Sequence, residues 1–238
     1  MREAFTYMFK DNKLFNKAIS IIAYLVVPFI LGLMYMITNS QFLAIIAVLA
    51  VIFTLFALTG YFISCVKAIA LQDLFIVLPN LNPVNNFVSG VKPLFASAVA
   101  NIAVSLGCAI IIFLSSLTGN KILIILVSLI FLLFVLIYIF LMPAFICIFA
   151  KTEKFWSYIN FKLAFNLVSK NVKKYLLYVL IYYIPIIIFS ILDQMTKQIK
   201  DLTLISFFSV YIILCPLFLY LQAYASAKSI DNSKDELI

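Results

Sequence analysis

The 238-residue chain contains no histidine. Without it, Ser–His and Cys–His nucleophiles and His-bearing zinc cages cannot be assembled. Acids are scarce too. The nine are Glu3, Asp11, Asp73, Glu153, Asp193, Asp201, Asp231, Asp235 and Glu236, and none lies inside a long apolar run. Proton relays and ion paths through membranes rest on ionisable groups buried in the spans. Asp193 and Asp201 flank one short connection beside Lys197 and Lys200. They read as solvated loop acids rather than an acid–base pair. The four cysteines, Cys65, Cys108, Cys147 and Cys215, show no CxxC spacing and sit in or at the ends of apolar runs. They read as reduced thiols packing as small hydrophobes. No catalytic residue, cofactor site or metal site emerges, and the expectation is that the chain is not an enzyme.

Apolar residues are what the chain has in excess. It is 66% hydrophobic and 11% charged, against about half and about a quarter in soluble domains. Lipid is the natural solvent for that composition, and 1–238 reads as one integral membrane domain. A crossing helix takes about 20 apolar residues to span about 30 Å of hydrocarbon. Six runs meet this, at about 18–37, 42–65, 94–117, 122–150, 175–192 and 202–225. They are too long for strands and lack the alternation of a barrel. Helices satisfy their own backbone groups in lipid, so the fold expected is an all-α bundle of six transmembrane helices. The fourth run is long for a straight crossing, about 43 Å at the α-helical rise. Pro143 is expected to end or kink it, with Ala144–Ala150 lying along the membrane surface or tilting away.

Orientation follows from the seventeen Lys and Arg residues. Fourteen fall in segments on one side: Arg2, Lys10, Lys13, Lys17, Lys67, Lys92, Lys151, Lys154, Lys162, Lys170, Lys173, Lys174, Lys228 and Lys234. Only Lys121, Lys197 and Lys200 fall opposite. Both termini are therefore expected in the cytoplasm. The N-terminal segment lacks the pattern of a cleavable signal, and Lys234-Asp235-Glu236-Leu237 is followed by Ile238, unlike a terminal retention signal. The net charge of +8 borders the spans rather than covering a soluble surface. It fits anionic lipid headgroups, and no nucleic-acid partner is expected.

Two inner connections look amphipathic. In 82–92, Asn82 is set to cap a helix starting at Pro83, with Val84, Phe87, Val88 and Val91 on one face and Pro93 kinking the way into the third span. In 157–174, Phe161, Ala164, Phe165, Val168 and Val172 form a stripe opposite Lys162, Asn166, Ser169, Lys170 and Lys173. That pattern fits a helix lying in the membrane interface and equally a helix docked on the bundle's inner end. Asn86-Phe87-Val88-Ser89 and Asn166-Leu167-Val168-Ser169 echo one another, as chance similarity in a low-complexity membrane sequence.

Within the spans, Asn101 is the most polar side chain, set among Ala96, Ala100, Ala103 and Gly107. Small residues let a neighbouring helix approach, and one buried amide makes an interhelical hydrogen bond. The third span is accordingly expected at the centre of the bundle. Pro28, Pro185 and Pro216 interrupt the first, fifth and sixth runs and read as kinked packing rather than a broken-helix binding site.

Several stretches taken together resemble a known family. They are Ala4–Asp11 before the first span, Gly60-Tyr61 late in the second, Lys67, Leu78-Pro79, and Phe87–Lys92 leading into the third. The whole resembles a prokaryotic family of polytopic membrane proteins classed as domain of unknown function 4013. From Pro143 through Phe165 to Lys174 the chain also resembles other uncharacterised six-helix families. It departs from the pattern at Asn80-Leu81-Asn82-Pro83, where acidic and tryptophan residues are expected, and in using lysine for arginine. The resemblance implies a multi-span topology and a prokaryotic cell (inner) membrane, and no mechanism.

The functional expectation is a non-catalytic structural or accessory component. It would bind anionic lipid or a membrane-protein partner through a basic inner surface at Lys162, Lys170, Lys173 and Lys174. The alternative is a transporter or permease subunit, which predicts a water-filled polar pocket near Asn101 or the proline kinks.

Overall fold

The computed structural model describes residues 11, 13–71, 78–198 and 204–230, with the side chains of 108, 195–198 and 204–209 left aside. Arg2, Lys10, Asp201, Lys234 and the segment 231–238 lie outside the described residues. Helices α1 (Leu14–Thr38), α2 (Gln41–Leu71), α3 (Pro83–Leu117) and α4 (Lys121–Thr152) are followed by a 3₁₀ turn, Phe155–Ile159. Then come α5 (Phe161–Ser169), α6 (Val172–Gln198) and α7 (Leu204–Lys228). Among the described residues there is no strand. All but the nine-residue α5 are long and apolar enough to cross a membrane, so the chain has the make-up of a six-span helical membrane protein.

The helices overrun the apolar runs at the lysine-rich end. α3 begins at Pro83 and passes through Pro93 unbroken, so 82–92 is the first part of the third span rather than a separate amphipathic helix. Its start is as the residues imply: the Asn82 side chain accepts from the Asn85 N–H at 3.2 Å, with Pro83 in the first turn. The segment 157–174 divides. Asn160 caps α5 by accepting from the Leu163 N–H at 3.1 Å, α5 ends at Ser169, and α6 starts at Val172. The α5 face bearing Ala164, Leu167 and Val168 is buried. Phe161 packs on Phe134, Tyr138 and Phe145 of α4. α5 is thus docked on the bundle, while Phe165 stays exposed. At the opposite end, Gly119 takes a left-handed φ of 66° between α3 and α4, a conformation glycine adopts without Cβ strain. Asn120 then caps α4 by accepting from the Ile122 and Leu123 N–H groups.

The centre of the bundle is α2, not the third span. α2 packs against α1, α3, α4 and α7. Its closest neighbour is α3, and glycine explains why. A Cβ on Gly60 would lie 1.9 Å from the Asn86 carbonyl oxygen, and one on Gly90 would lie 1.8 Å from that of Phe56. The two backbones touch, as small residues permit between membrane helices. Beyond Asn101, by contrast, Ile102, Leu106, Ile110, Phe113 and Leu114 of α3 are all exposed, as are Ile125, Leu129, Ile130 and Leu133 of α4.

Burial is therefore lopsided. Leu141 and the run Ala144–Ala150 are buried, so this stretch is core and not a surface segment. Pro143 does not end α4. Proline has no N–H for the carbonyl four residues back, which here is Ile139. The Tyr183 hydroxyl of α6 donates to that oxygen at 2.5 Å, and Tyr175 donates to the next, on Phe140, at 2.7 Å. The same repair recurs at Pro28, where Thr54 of α2 donates to the freed Tyr24 carbonyl at 3.1 Å. Near Pro185, which frees the Ile181 carbonyl, Gln222 of α7 donates to the adjacent Tyr182 carbonyl at 3.3 Å. Side chains of neighbouring helices thus satisfy backbone groups that lipid cannot.

Candidate functional site

Four lysines were expected to form one inner surface. Lys162 and Lys170 are exposed on α5 and the bend after it, whereas Lys173 and Lys174 belong to the first turn of α6, with Lys173 exposed and Lys174 half-buried. They straddle a bend rather than share a helix face.

A second group of basic residues gathers around the C-terminal end of α4. Glu153 ends that helix in a left-handed conformation, φ 53°, its N–H bonded to the Phe149 carbonyl at 2.7 Å. Its carboxylate pairs with Lys67 of α2. The Lys67 hydrogen bond and charge, with Lys92 of α3 further off, hold the Glu153 carboxyl below the usual carboxylate range. Lys151 and Lys228 both face the buried Cys147 thiol electrostatically, which brings the end of α7 to the same place. Lys67, Lys92, Lys151 and Lys228 thus come from four helices to one end of the bundle, with Glu153 among them. The Lys67–Glu153 pair is about half exposed and so contributes under about 1 kcal/mol. Its role is to place charge, not to hold the fold.

Deeper at this end lies a polar cluster that sequence reading missed. Asp11 and Lys17 are 8% and 5% exposed, and they pair at 2.6 Å. Lys17 Nζ also donates to the Leu78 carbonyl at 2.5 Å. Asp11 accepts from the Leu78 N–H at 3.1 Å and from the Lys13 N–H at 2.8 Å. Burial pushes the Asp11 carboxyl up, but Lys17 and the Lys13 and Leu78 amides outweigh it and hold the group below its ordinary value. The pair clips the start of α1 to the α2–α3 connection at both polar atoms of Leu78. Beside it stand Cys65 and the hydroxyls of Tyr61 and Tyr220, which meet at 3.1 Å. A pair whose further partner, Leu78, lies on a connection more than 60 residues away leaves no pattern in sequence.

The small-residue positions of α3 also separate. Ala96 and Ala100 are buried, and Asn101 accepts a hydrogen bond from the Tyr138 hydroxyl of α4 at 3.0 Å. Ala103 and Gly107 instead line an apolar cleft of about 540 Å³ between α3 and α4, with Val104, Ile111 and Phe134. Apart from its chain neighbours and the backbone of its own helix, no atom of the described residues lies within 4 Å of a Cβ built on Gly107. Among the described residues, no three His, Cys, Asp or Glu side chains cluster as a metal site.

Comparison with known proteins gives a family and nothing more specific. No curated protein and no solved structure matches the chain. The family model described as protein of unknown function (DUF4013) matches residues 42–196, which run from the start of α2 into the end of α6 and include Gly60, Gly90, Pro143 and the basic end of α4. The chain belongs to that family.

Proposed function

We propose that this protein is a non-catalytic component of a cell (inner) membrane, with both termini in the cytoplasm, that engages anionic lipid headgroups or a membrane-protein partner through its basic inner end. The observation that carries this reading is that four helices bring lysines to one end of the bundle, Lys67 and Lys92 toward Glu153 and Lys151 and Lys228 toward Cys147. Lysines beside a cytoplasmic leaflet gain about 1 kcal/mol each from anionic lipid. Lys162, Lys170 and Lys173 are exposed and Lys174 half-buried along α5 and the start of α6, and they are included in the proposed lipid- or partner-binding surface. A permease subunit remains the alternative. Against it, the group next to Asn101 is the Tyr138 hydroxyl, and the neighbouring α3–α4 cleft is lined by apolar side chains.

The test is thermal unfolding of detergent-purified protein titrated with an anionic and a zwitterionic phospholipid. The anionic lipid alone is expected to raise the melting temperature. Replacing Lys67, Lys92, Lys151 and Lys228 with Gln is expected to weaken that response several-fold. An equal response to both lipids, or one unchanged by the four substitutions, contradicts the reading.

A further inference from the structure

We propose a second binding site, on the membrane-facing side of α2, α6 and α7, for an inner-leaflet lipid whose ester carbonyl takes a hydrogen bond from Gln222. The site is an open cleft of about 360 Å³. It is lined among others by Thr59, Tyr182, Pro185, Tyr211, Cys215 and Gln222. Three features set it apart from the apolar clefts between α1 and α2 and between α3 and α4.

The first is the primary amide. A carboxamide carries two N–H donors and a carbonyl, and one donor of Gln222 goes to the Tyr182 carbonyl at 3.3 Å. A half-buried amide in a cleft open to hydrocarbon must find partners for what remains, because an unmet polar group is costly there. Lipid tails offer none, and an ester carbonyl does.

The second is backbone chemistry. Pro185 and Pro216 stand at or beside the cleft, within α6 and α7. Pro185 lines the cleft itself, and the Tyr182 carbonyl one turn before it is the backbone group that Gln222 meets there.

The third is depth. Gln222 precedes Lys228 by six positions on α7, and Thr59 precedes Lys67 by eight on α2. At the α-helical rise they lie about 9 and 12 Å from the level of those lysines. With the lysines at the headgroups, the amide falls where the ester-linked top of an inner-leaflet acyl chain runs. Phe62, Phe189 and Phe218 then supply an aromatic wall for the chain. That this leaflet is the inner one rests on the placement of the lysine-rich end proposed above.

The test uses the full chain reconstituted in nanodiscs containing a phospholipid with a photoactivatable diazirine near the ester end of one acyl chain. Adducts are mapped by peptide mass spectrometry. Labelling is expected to concentrate on Phe62, Tyr182 and Leu219, which line the cleft at the level of the amide, and to fall at least about threefold on Gln222→Leu and on Cys215→Phe, which fills the cleft without touching the amide. Labelling of the α3–α4 cleft serves as reference and is expected to stay unchanged in both variants. Uniform labelling of all lipid-facing helices, or no change in either variant, overturns the site. Labelling there only with a probe at the far end of the acyl chain overturns the ester contact with Gln222. Because a nanodisc has no inner face, either result is independent of the inner placement of the lysines, which cysteine accessibility in cells reads separately.

Discussion

Gly60→Ala is the sharpest probe of the packing. The added methyl would sit 1.9 Å from the Asn86 carbonyl oxygen, 2.6 Å from the Ser89 hydroxyl and 2.7 Å from the Gly90 nitrogen. The Ser89 side chain can turn away, but the two backbone atoms cannot, because α3 is helical through both positions. Restoring an ordinary contact distance moves α2 and α3 apart by more than an ångström along much of their shared face. Overpacking of this kind costs about 1–3 kcal/mol, and the lost backbone approach removes weak C–H···O contacts of about 0.5–1 kcal/mol each. The sum, about 2–4 kcal/mol, predicts a fall in melting temperature of roughly 5–15 °C for a chain this size. The assay is thermal unfolding of purified protein in one detergent. Gly32→Ala and Gly107→Ala are the controls, since a Cβ at either meets nothing within 4 Å, and each is expected to change stability by under about 0.5 kcal/mol. If Gly60→Ala is as stable as these two, the contact between the α2 and α3 backbones does not exist as described.

Two further predictions concern polar groups. Tyr183→Phe is expected to cost about 1–2 kcal/mol by stranding the Ile139 carbonyl that Pro143 frees. The same change in a Pro143→Ala background is expected to cost little, because alanine restores the backbone donor; a double-mutant cycle on melting stability that shows no coupling refutes the repair. Asp11→Asn is expected to cost about 3–5 kcal/mol by leaving Lys17 without its buried counter-charge. The folded Asp11 carboxyl titrates below its ordinary value of 3.8. Its contribution is therefore present above that pH and lost as pH falls through the lower, folded value. An acid-unfolding curve is expected to keep a loss of stability in that range in the wild type and to lack it in Asp11→Asn; identical acid limbs contradict the pair.

What could be read from sequence and what could not divide along physical lines. Span number and the Asn82–Pro83 helix start depend on composition and on neighbours three residues away, and both were legible. Ala96 and Ala100 were recognisable as small residues, but which helix they meet was not, and Ala103 and Gly107 of the same stripe face a cleft. Pro143 looked like a helix end because its hidden support, Tyr175 and Tyr183, comes from 35 and 44 residues away. The Asp11–Lys17–Leu78 cluster joins positions 61 and 67 residues apart, and neither charge lies in an apolar run. Gly60 and Gly90 are unremarkable singly; their meaning is in the pairing.

Which side of the membrane the packed, lysine-rich end occupies decides the proposed function. Substituted-cysteine labelling measures this directly. Single cysteines at Lys154 and at Lys121, in a chain with the four native cysteines replaced by serine, are exposed to a membrane-impermeant maleimide on intact cells and after permeabilisation. The two positions lie at opposite ends of α4 or just beyond it. The prediction is that Lys121→Cys reacts on intact cells and Lys154→Cys reacts only once the membrane is opened. The reverse pattern, or reaction of both from outside, contradicts an inner basic surface.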